Sequence, residues 1–208
     1  GAFGYDYERK KCIYKNRMEK ESCVELYNLA KKHDVNFIMN TEIGRFKLKE
    51  TDNKEDKILD EPIESFLEKT DVMQCLIQDK DFKKIKNLKK EVEQIKGTEI
   101  KNQSKALTDK NYKPKEVTYY DVADINTSKG NGVKMVCKAL NINLKDTISI
   151  GDDYNDVSMF EVTGASIAMG NANEEVKKKA KYVTLTNNEE GVALVLENLL
   201  KNKGEEVL

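Results

Sequence analysis

Three carboxylates and an amide lie close together in the segment 152–156, which reads Asp-Asp-Tyr-Asn-Asp. The segment directly follows residues 147–150, a short run of β-branched and apolar side chains that predicts a buried strand. In an open α/β sheet, the carboxyl ends of the strands border the crevice in which ligands bind. Upstream, Lys129 begins a predicted helix, where its charge opposes the helix dipole unless an anion lies in front of it. A lysine beside clustered carboxylates is suited to binding Mg²⁺ and phosphate.

These phrases resemble the third and fourth motifs of the haloacid dehalogenase (HAD) phosphatase superfamily. The resemblance is closest to its Cof-type, subclass IIB, sugar-phosphatase-like branch, whose cap domain is inserted between the second and third motifs. Two further phrases follow in the order and spacing of that branch, Ala-Met-Gly-Asn-Ala at 168–172 and Asn-Asn-Glu-Glu-Gly-Val at 187–192. The resemblance implies an α/β fold that combines the C-terminal part of a Rossmann-like core with an α+β cap of type C2.

The resemblance also implies roles for four residues. Asp152 resembles the Mg²⁺ ligand, and Lys129 the lysine that stabilises the nucleophile and the transferring phosphoryl group. Asn155 would contact the substrate phosphate, and Asp156 would support the metal or the lysine. A purely structural role remains an alternative for each of them. Asp152, Asn155 or Asp156 would then only cap a helix, and Lys129 would be an ordinary surface lysine. Asp153 receives no role.

Two expected motifs do not occur in this sequence. The family's first motif, Asp-x-Asp-Gly-Thr, carries the nucleophilic aspartate and the general acid/base aspartate, and its second motif supplies a Thr or Ser. Neither is found, and Gly1-Ala2 resembles the end of the phrase that leads from core to cap. The sequence therefore predicts a family member without its N-terminal part, which by itself has negligible phosphatase activity.

Composition excludes several other classes of protein. Lysine and arginine (36) nearly balance aspartate and glutamate (37), so the net charge of −1 provides no basic field for a nucleic acid. No run approaches the roughly 20 apolar residues of a membrane span, and no signal peptide is recognisable. The four cysteines lie far apart in apolar contexts, which favours buried, reduced thiols. We expect a cytoplasmic protein that binds neither nucleic acid nor membrane.

The patterns divide the chain into two predicted domains, an α+β cap over 1–115 and the core part over 116–208, with Pro114 near the boundary. After the boundary, strands alternate with helices, which predicts a parallel sheet. Helices are predicted from Gly130, from Asn155, over 173–180 and over 189–200. In the first half, residues 49–60 predict a loop, and residues 97–115 are too polar to place.

Two functions from different classes follow. The first is a Mg²⁺-dependent phosphatase that hydrolyses a small, sugar-like organic phosphate. The alternative is a non-catalytic ligand-binding or assembly module that keeps the cap and half of the site. A third function, a receiver-like acidic pocket, is disfavoured because the order of the motifs is wrong for it. Without its central strand the core sheet would expose an edge at Ile148 and Ile150, so self-association through this edge is also expected.

Overall fold

The structure is a computed structural model that describes residues 1–50, 54–104 and 117–201. The helices within these ranges are α1 Lys20–Lys32, α2 Ile63–Leu67, α3 Phe82–Val92, α4 Lys129–Leu140, α5 Val157–Phe160, α6 Glu174–Lys177 and α7 Gly191–Lys201. The strands are β1 Phe3–Asp6, β2 Lys11–Lys15, β3 Asn36–Thr41, β4 Gly44–Lys47, β5 Lys57–Ile58, β6 Val72–Asp79, β7 Thr98–Gln103, β8 Thr118–Asp124, β9 Ile148–Gly151, β10 Ala165–Ala168 and β11 Tyr182–Val183.

The chain forms two compact units whose bounds differ from the predicted domains. One unit comprises Lys15–Asn126 with Ala2, and the other comprises Gly1, Phe3–Tyr14 and the chain from Thr127 onward. The boundary predicted near Pro114 falls outside the described residues. The difference arises because β8, predicted to open the second domain, hydrogen-bonds to β6 and β7 of the first unit. Residues 3–14, in contrast, belong to the unit that contains α4, because β1 lies against that helix and pairs with β2.

The unit 15–126 is built on a six-stranded sheet of order β5-β4-β3-β6-β8-β7. All neighbours are antiparallel except β4 and β5. Alternate residues of β3, Phe37 and Met39, are buried in the same apolar cluster as Leu26 of α1 and Leu88 of α3. Full burial of a side chain of this kind stabilises a fold by about 1.5–3 kcal/mol. Helices α1 and α3 are thus held on one face of the sheet.

The second unit contains a parallel sheet of order β11-β10-β9. In the register of β9 and β10, Ala168 pairs with Gly151, so the two strands end side by side. The loops that follow them, which begin at Asp152 and Met169, are therefore neighbours. Helix α5 packs on β9 and β10, and α4 packs on α5. This arrangement brings the start of α4 to the ends of the two strands.

Several predicted elements are confirmed, and others are shorter or absent. Helix α4 begins within a residue of its predicted start, and α7 lies within two residues of the range 189–200. The helix predicted from Asn155 is instead a single 3₁₀ turn, Tyr154–Asp156, followed by the short α5. The helix predicted over 173–180 is reduced to α6. The stretches 49–60 and 97–115 contain β5 and β7, which were not predicted because both stretches are polar.

All four cysteines are free thiols, as predicted. Cys23, Cys75 and Cys137 are buried, whereas Cys12 is partly exposed. Burial, together with the neighbouring Cys23, raises the pKa of the Cys75 thiol well above its usual value. The Cys75 thiol is therefore uncharged and unreactive at neutral pH. No helix in the described ranges is long and apolar enough to cross a membrane.

Candidate active site

The turn after β9 is organised around the carboxylate of Asp156. Its Oδ2 accepts hydrogen bonds from the backbone N–H groups of Asp152 at 2.9 Å and of Asp153 at 3.2 Å. The Asp153 side chain caps the same turn and completes a reciprocal capping box with Asp156. A Cβ atom on Gly151 would lie 2.6 Å from Asp156 Oδ2, so glycine is needed for the carboxylate to fold back this closely. Asp156 is thereby held in one position.

Lys129 completes this cluster from the start of α4. Its Nζ lies 2.5 Å from Asp156 Oδ1; the Asp156 side chain is only 5% exposed, whereas that of Lys129 is 44% exposed. Burial alone would raise the pKa of the Asp156 carboxyl, but the Lys129 ammonium and the two backbone N–H groups outweigh it and hold the pKa below its usual range. Asp156 is therefore an anion at neutral pH. Lys129 is anchored on one side and open to solvent on the other.

The close approach of α4 to α5 places Lys129. The N–H of Gly130 donates to Ser158 Oγ at 3.1 Å, and Ser158 Oγ in turn donates to the carbonyl oxygen of Asn155 at 3.3 Å. A Cβ on Gly130 would lie 2.0 Å from the Ser158 carbonyl oxygen, a distance that no packed atom tolerates. Ser128 caps the helix by accepting a hydrogen bond from the N–H of Asn131. Sequence reasoning missed Ser158, although the glycine directly after Lys129 was a usable signal of close packing.

Asp152 lies beside this cluster and has a different partner. Its side chain is exposed, and its Oδ2 accepts a hydrogen bond from Asn171 Nδ2 at 3.3 Å. Asn171 follows β10, and its Oδ1 accepts from the backbone N–H of Asn187 at 2.9 Å. Asn155 is also exposed, and its side chain has no hydrogen bond with the described residues. The structure thus brings Lys129, Asp152 and Asp156 together, with Asn155 on the same turn.

The oxygen donors fit a hard cation such as Mg²⁺. Mg²⁺ in proteins uses one or two carboxylates and keeps several waters that a substrate phosphate can replace. Asp152 supplies one exposed carboxylate, whereas Asp156 is already engaged by Lys129 and by two backbone N–H groups. Among the described residues there is no group of three or more His, Cys, Asp or Glu side chains that could hold a metal. The described residues therefore offer, in Asp152, an exposed carboxylate whose chemistry fits a Mg²⁺ ligand.

Sequence comparison finds relatives with phosphatase names. Phosphatase YwpJ of Bacillus subtilis is 46% identical over 81 residues, which are 39% of this chain and 28% of that protein. A putative phosphatase of Haemophilus influenzae is 39% identical over 79 residues, 38% of this chain and 30% of that protein. The matched stretches thus span less than a third of the length of these curated relatives.

Solved structures share the fold over most of the chain. A HAD subclass IIB sugar phosphatase superposes with a TM-score of 0.72 at 23% identity, covering 96% of this chain and 73% of that one. A haloacid dehalogenase-like hydrolase from Bacteroides thetaiotaomicron superposes with a TM-score of 0.69 at 25% identity, covering 95% and 73%. The mixed α/β fold class predicted from the sequence is confirmed.

A family model described as haloacid dehalogenase-like hydrolase matches residues 1–196, nearly the whole chain. This match includes the site around Lys129, Asp152 and Asp156. The resemblance predicted from the sequence motifs is confirmed with it. The chain belongs to the haloacid dehalogenase-like hydrolase family.

Proposed function

We propose that this chain carries the phosphate-binding and Mg²⁺-binding half of a phosphatase site that acts on a small, sugar-like organic phosphate. The observation that carries the proposal is the Lys129–Asp156 ion pair beside the exposed carboxylate of Asp152, at the carboxyl end of β9. Phosphatase-named relatives match about two fifths of the chain, and a subclass IIB sugar phosphatase shares the fold. The substrate partner is accordingly a small phosphorylated metabolite.

Each of these side chains has a distinct part in the proposed reaction. An ammonium has three N–H donors, so Lys129 can bond Asp156 and a non-bridging phosphate oxygen at the same time. There it stabilises the negative charge of the transferring phosphoryl group. Asp156 holds the ammonium in place, and the exposed amide of Asn155 donates to the phosphate. Mg²⁺, when bound through Asp152, neutralises further charge on the phosphoryl oxygens.

The covalent step requires aspartates that this sequence does not present in a matching motif. A carboxylate attacks phosphorus to form an aspartyl-phosphate, the ester oxygen leaves with a proton from a second acid, and water then hydrolyses the intermediate. We assign both roles to an Asp-x-Asp-Gly-Thr segment, which residues 1–208 lack. The proposal therefore includes that the 208-residue chain alone has negligible activity.

Complementation tests the proposal directly. The chain is assayed on p-nitrophenyl phosphate and sugar phosphates, alone and co-expressed with the Asp-x-Asp-Gly-Thr segment of a family phosphatase. We expect turnover only in the complemented form, and its loss in Asp152→Asn and Lys129→Ala. Turnover by the chain alone that survives in Asp152→Asn would overturn both the proposal and the assignment of the site.

The missing motif also supports a second candidate, a non-catalytic ligand-binding or assembly module. Under this alternative, inorganic phosphate or a sugar phosphate binds the chain and depends on Lys129, but no complementing segment restores turnover. The same assay therefore separates the two candidates, because only the first predicts activity that depends on Asp152.

We further propose self-association through the parallel sheet. Strand β9 is the outermost strand of that sheet in the described part of the chain, and its Ile148 is 38% exposed. Helix α7 of the same unit exposes Leu196 and Leu200. A strand edge with unpaired backbone groups beside exposed apolar side chains favours pairing with another chain.

A further inference from the structure

The amide of Asn171 joins Asp152 to a third segment of the site. Its Nδ2 donates to Asp152 Oδ2 at 3.3 Å, and its Oδ1 accepts from the backbone N–H of Asn187 at 2.9 Å. The three residues come from the loops after β9 and β10 and from the turn before α7. One side chain therefore connects loops that are well separated in sequence.

These contacts also fix which end of the amide faces Asp152. A backbone N–H can only donate, so the atom of Asn171 that meets Asn187 must be the oxygen. The NH₂ group then faces the carboxylate, which in its ionised form can only accept. Exchanging the two ends would place two donors together at one contact and two acceptors at the other. The orientation is therefore determined by the hydrogen-bond partners themselves.

The backbone around Asn171 is held tightly enough for this amide to act as a fixed support. The N–H of Gly170 donates to the Leu185 carbonyl oxygen at 3.0 Å, and a Cβ at Gly170 would lie 2.8 Å from Thr186 N. On the other side, Glu189 Oε2 accepts from Thr186 N at 3.1 Å and from Thr186 Oγ1 at 2.7 Å, which fixes the turn that presents the Asn187 N–H. Both loops are thus braced against each other.

We propose that Asn171 is a positioning residue that holds the Asp152 carboxylate for a divalent cation. This inference rests on the proposed function, in which Asp152 binds Mg²⁺. Asn171 bonds only Oδ2, so Oδ1 and the second lone pair of Oδ2 remain available to a cation. A neutral amide orients the carboxylate without neutralising it, whereas the lysine of the site is paired with Asp156 instead. Among the described residues, Asp152 therefore has an amide and not a cationic side chain as its partner.

Mn²⁺ is the probe for the test, because the electron paramagnetic resonance signal of free Mn²⁺ reports the bound fraction whether the chain is monomeric or associated. Titrations compare the full chain with Asp152→Asn, Asn171→Ala and Asn173→Ala. Asn173 is the matched control, since it lies in the same loop but, among the described residues, its side chain accepts only from the N–H of Glu175 at the start of α6. Should Asn171→Ala fail to fold, Asn171→Ser, too short to reach Asp152, replaces it.

We expect the unmodified chain to bind Mn²⁺ weakly, Asp152→Asn to abolish this binding and Asn171→Ala to weaken it about tenfold, as is typical when the partner of a metal ligand is removed. Asn173→Ala should stay within about twofold of the unmodified chain, well below that effect. If Asp152→Asn abolishes binding but Asn171→Ala matches Asn173→Ala, the positioning role is overturned and the metal site stands. If Asp152→Asn leaves binding unchanged, the metal site of the proposed function fails, and the inference fails with it.

Discussion

Replacing Gly130 by alanine tests whether close packing of α4 on α5 builds the site. In an exposed helix interior this change is stabilising by about 0.8–1.0 kcal/mol, because alanine has the higher helix propensity. Here the new Cβ would lie 2.0 Å from the Ser158 carbonyl oxygen, so the helices must separate by about 1.4 Å to reach the 3.4 Å of ordinary contact. Overpacking of this kind costs about 1–3 kcal/mol, and the upper end applies because the obstacle is backbone.

The separation also breaks hydrogen bonds that the site needs. The Gly130 N–H would lose Ser158 Oγ, which costs about 1 kcal/mol for an ordinary hydrogen bond. Adding the three contributions, we expect the free energy of unfolding to fall by about 1–3 kcal/mol. For a urea m-value near 2 kcal/mol/M, the midpoint falls by roughly 0.5–1.5 M.

Gly132→Ala is the matched control in the same helix. Its Cβ would meet the Tyr14 hydroxyl at 2.7 Å, the far end of a side chain that can rotate away, and the backbone Cα of Gly1 at 3.3 Å, which is only slightly closer than ordinary contact. The gain in helix propensity is the same, so the net change should stay within about 1 kcal/mol of zero. Urea unfolding of both variants, followed by circular dichroism, gives the comparison. Equal midpoints for the two variants, or a Gly130→Ala midpoint above that of the unmodified chain, would refute the packing argument.

Three further outcomes are expected. Because the pKa of Asp156 is depressed in the folded state, this carboxylate stabilises the fold fully above its unfolded pKa of about 3.9, and the stabilisation is lost as the pH falls through the folded pKa. Urea midpoints measured from pH 7 to pH 3 should therefore fall less steeply in Asp156→Asn than in the unmodified chain. Calorimetric titration should show only weak Mg²⁺ binding, since Asp152 without a partner carboxylate and a substrate phosphate is a poor metal site. Tight binding would contradict the proposal that the chain carries only half of the phosphatase site. Sedimentation over a range of concentrations should show self-association or aggregation, whereas a concentration-independent monomer would argue against the exposed β9 edge and favour the non-catalytic module.

The candidate site was predictable where chemistry and local sequence coincide. Asp152 and Asp156 follow a strand within five residues, and the structure places them at its end as expected. The role of Asn171 was not predictable, because its two partners lie 19 and 16 residues away along the chain and an isolated asparagine is a common loop residue. Ser158 was missed for a similar reason, since a serine within a helix carries no signal of its partner.

The fold was predictable to the extent that its contacts are local. The parallel sheet followed from the alternation of strands and helices. Strand β8 was misplaced because a strand directly before a helix is typical of a βαβ unit, while its real partners β6 and β7 are antiparallel neighbours. The helix expected from Asn155 begins instead as a 3₁₀ turn, in which the Asp156 side chain turns back to the N–H groups of Asp152 and Asp153.

The pairing of Gly151 with Ala168 sets the spacing between Asp152 and Asn171. A slip of one residue between β9 and β10 would shift one loop by about 3.3 Å along the other and turn the paired side chains to opposite faces. The contact between the Asn171 amide and the Asp152 carboxylate would not survive such a shift. The connection between the strands is itself tied to β9, because the buried Thr163 hydroxyl lies 2.7 Å from Ser149 Oγ. A single deletion inside either strand should therefore destroy the site.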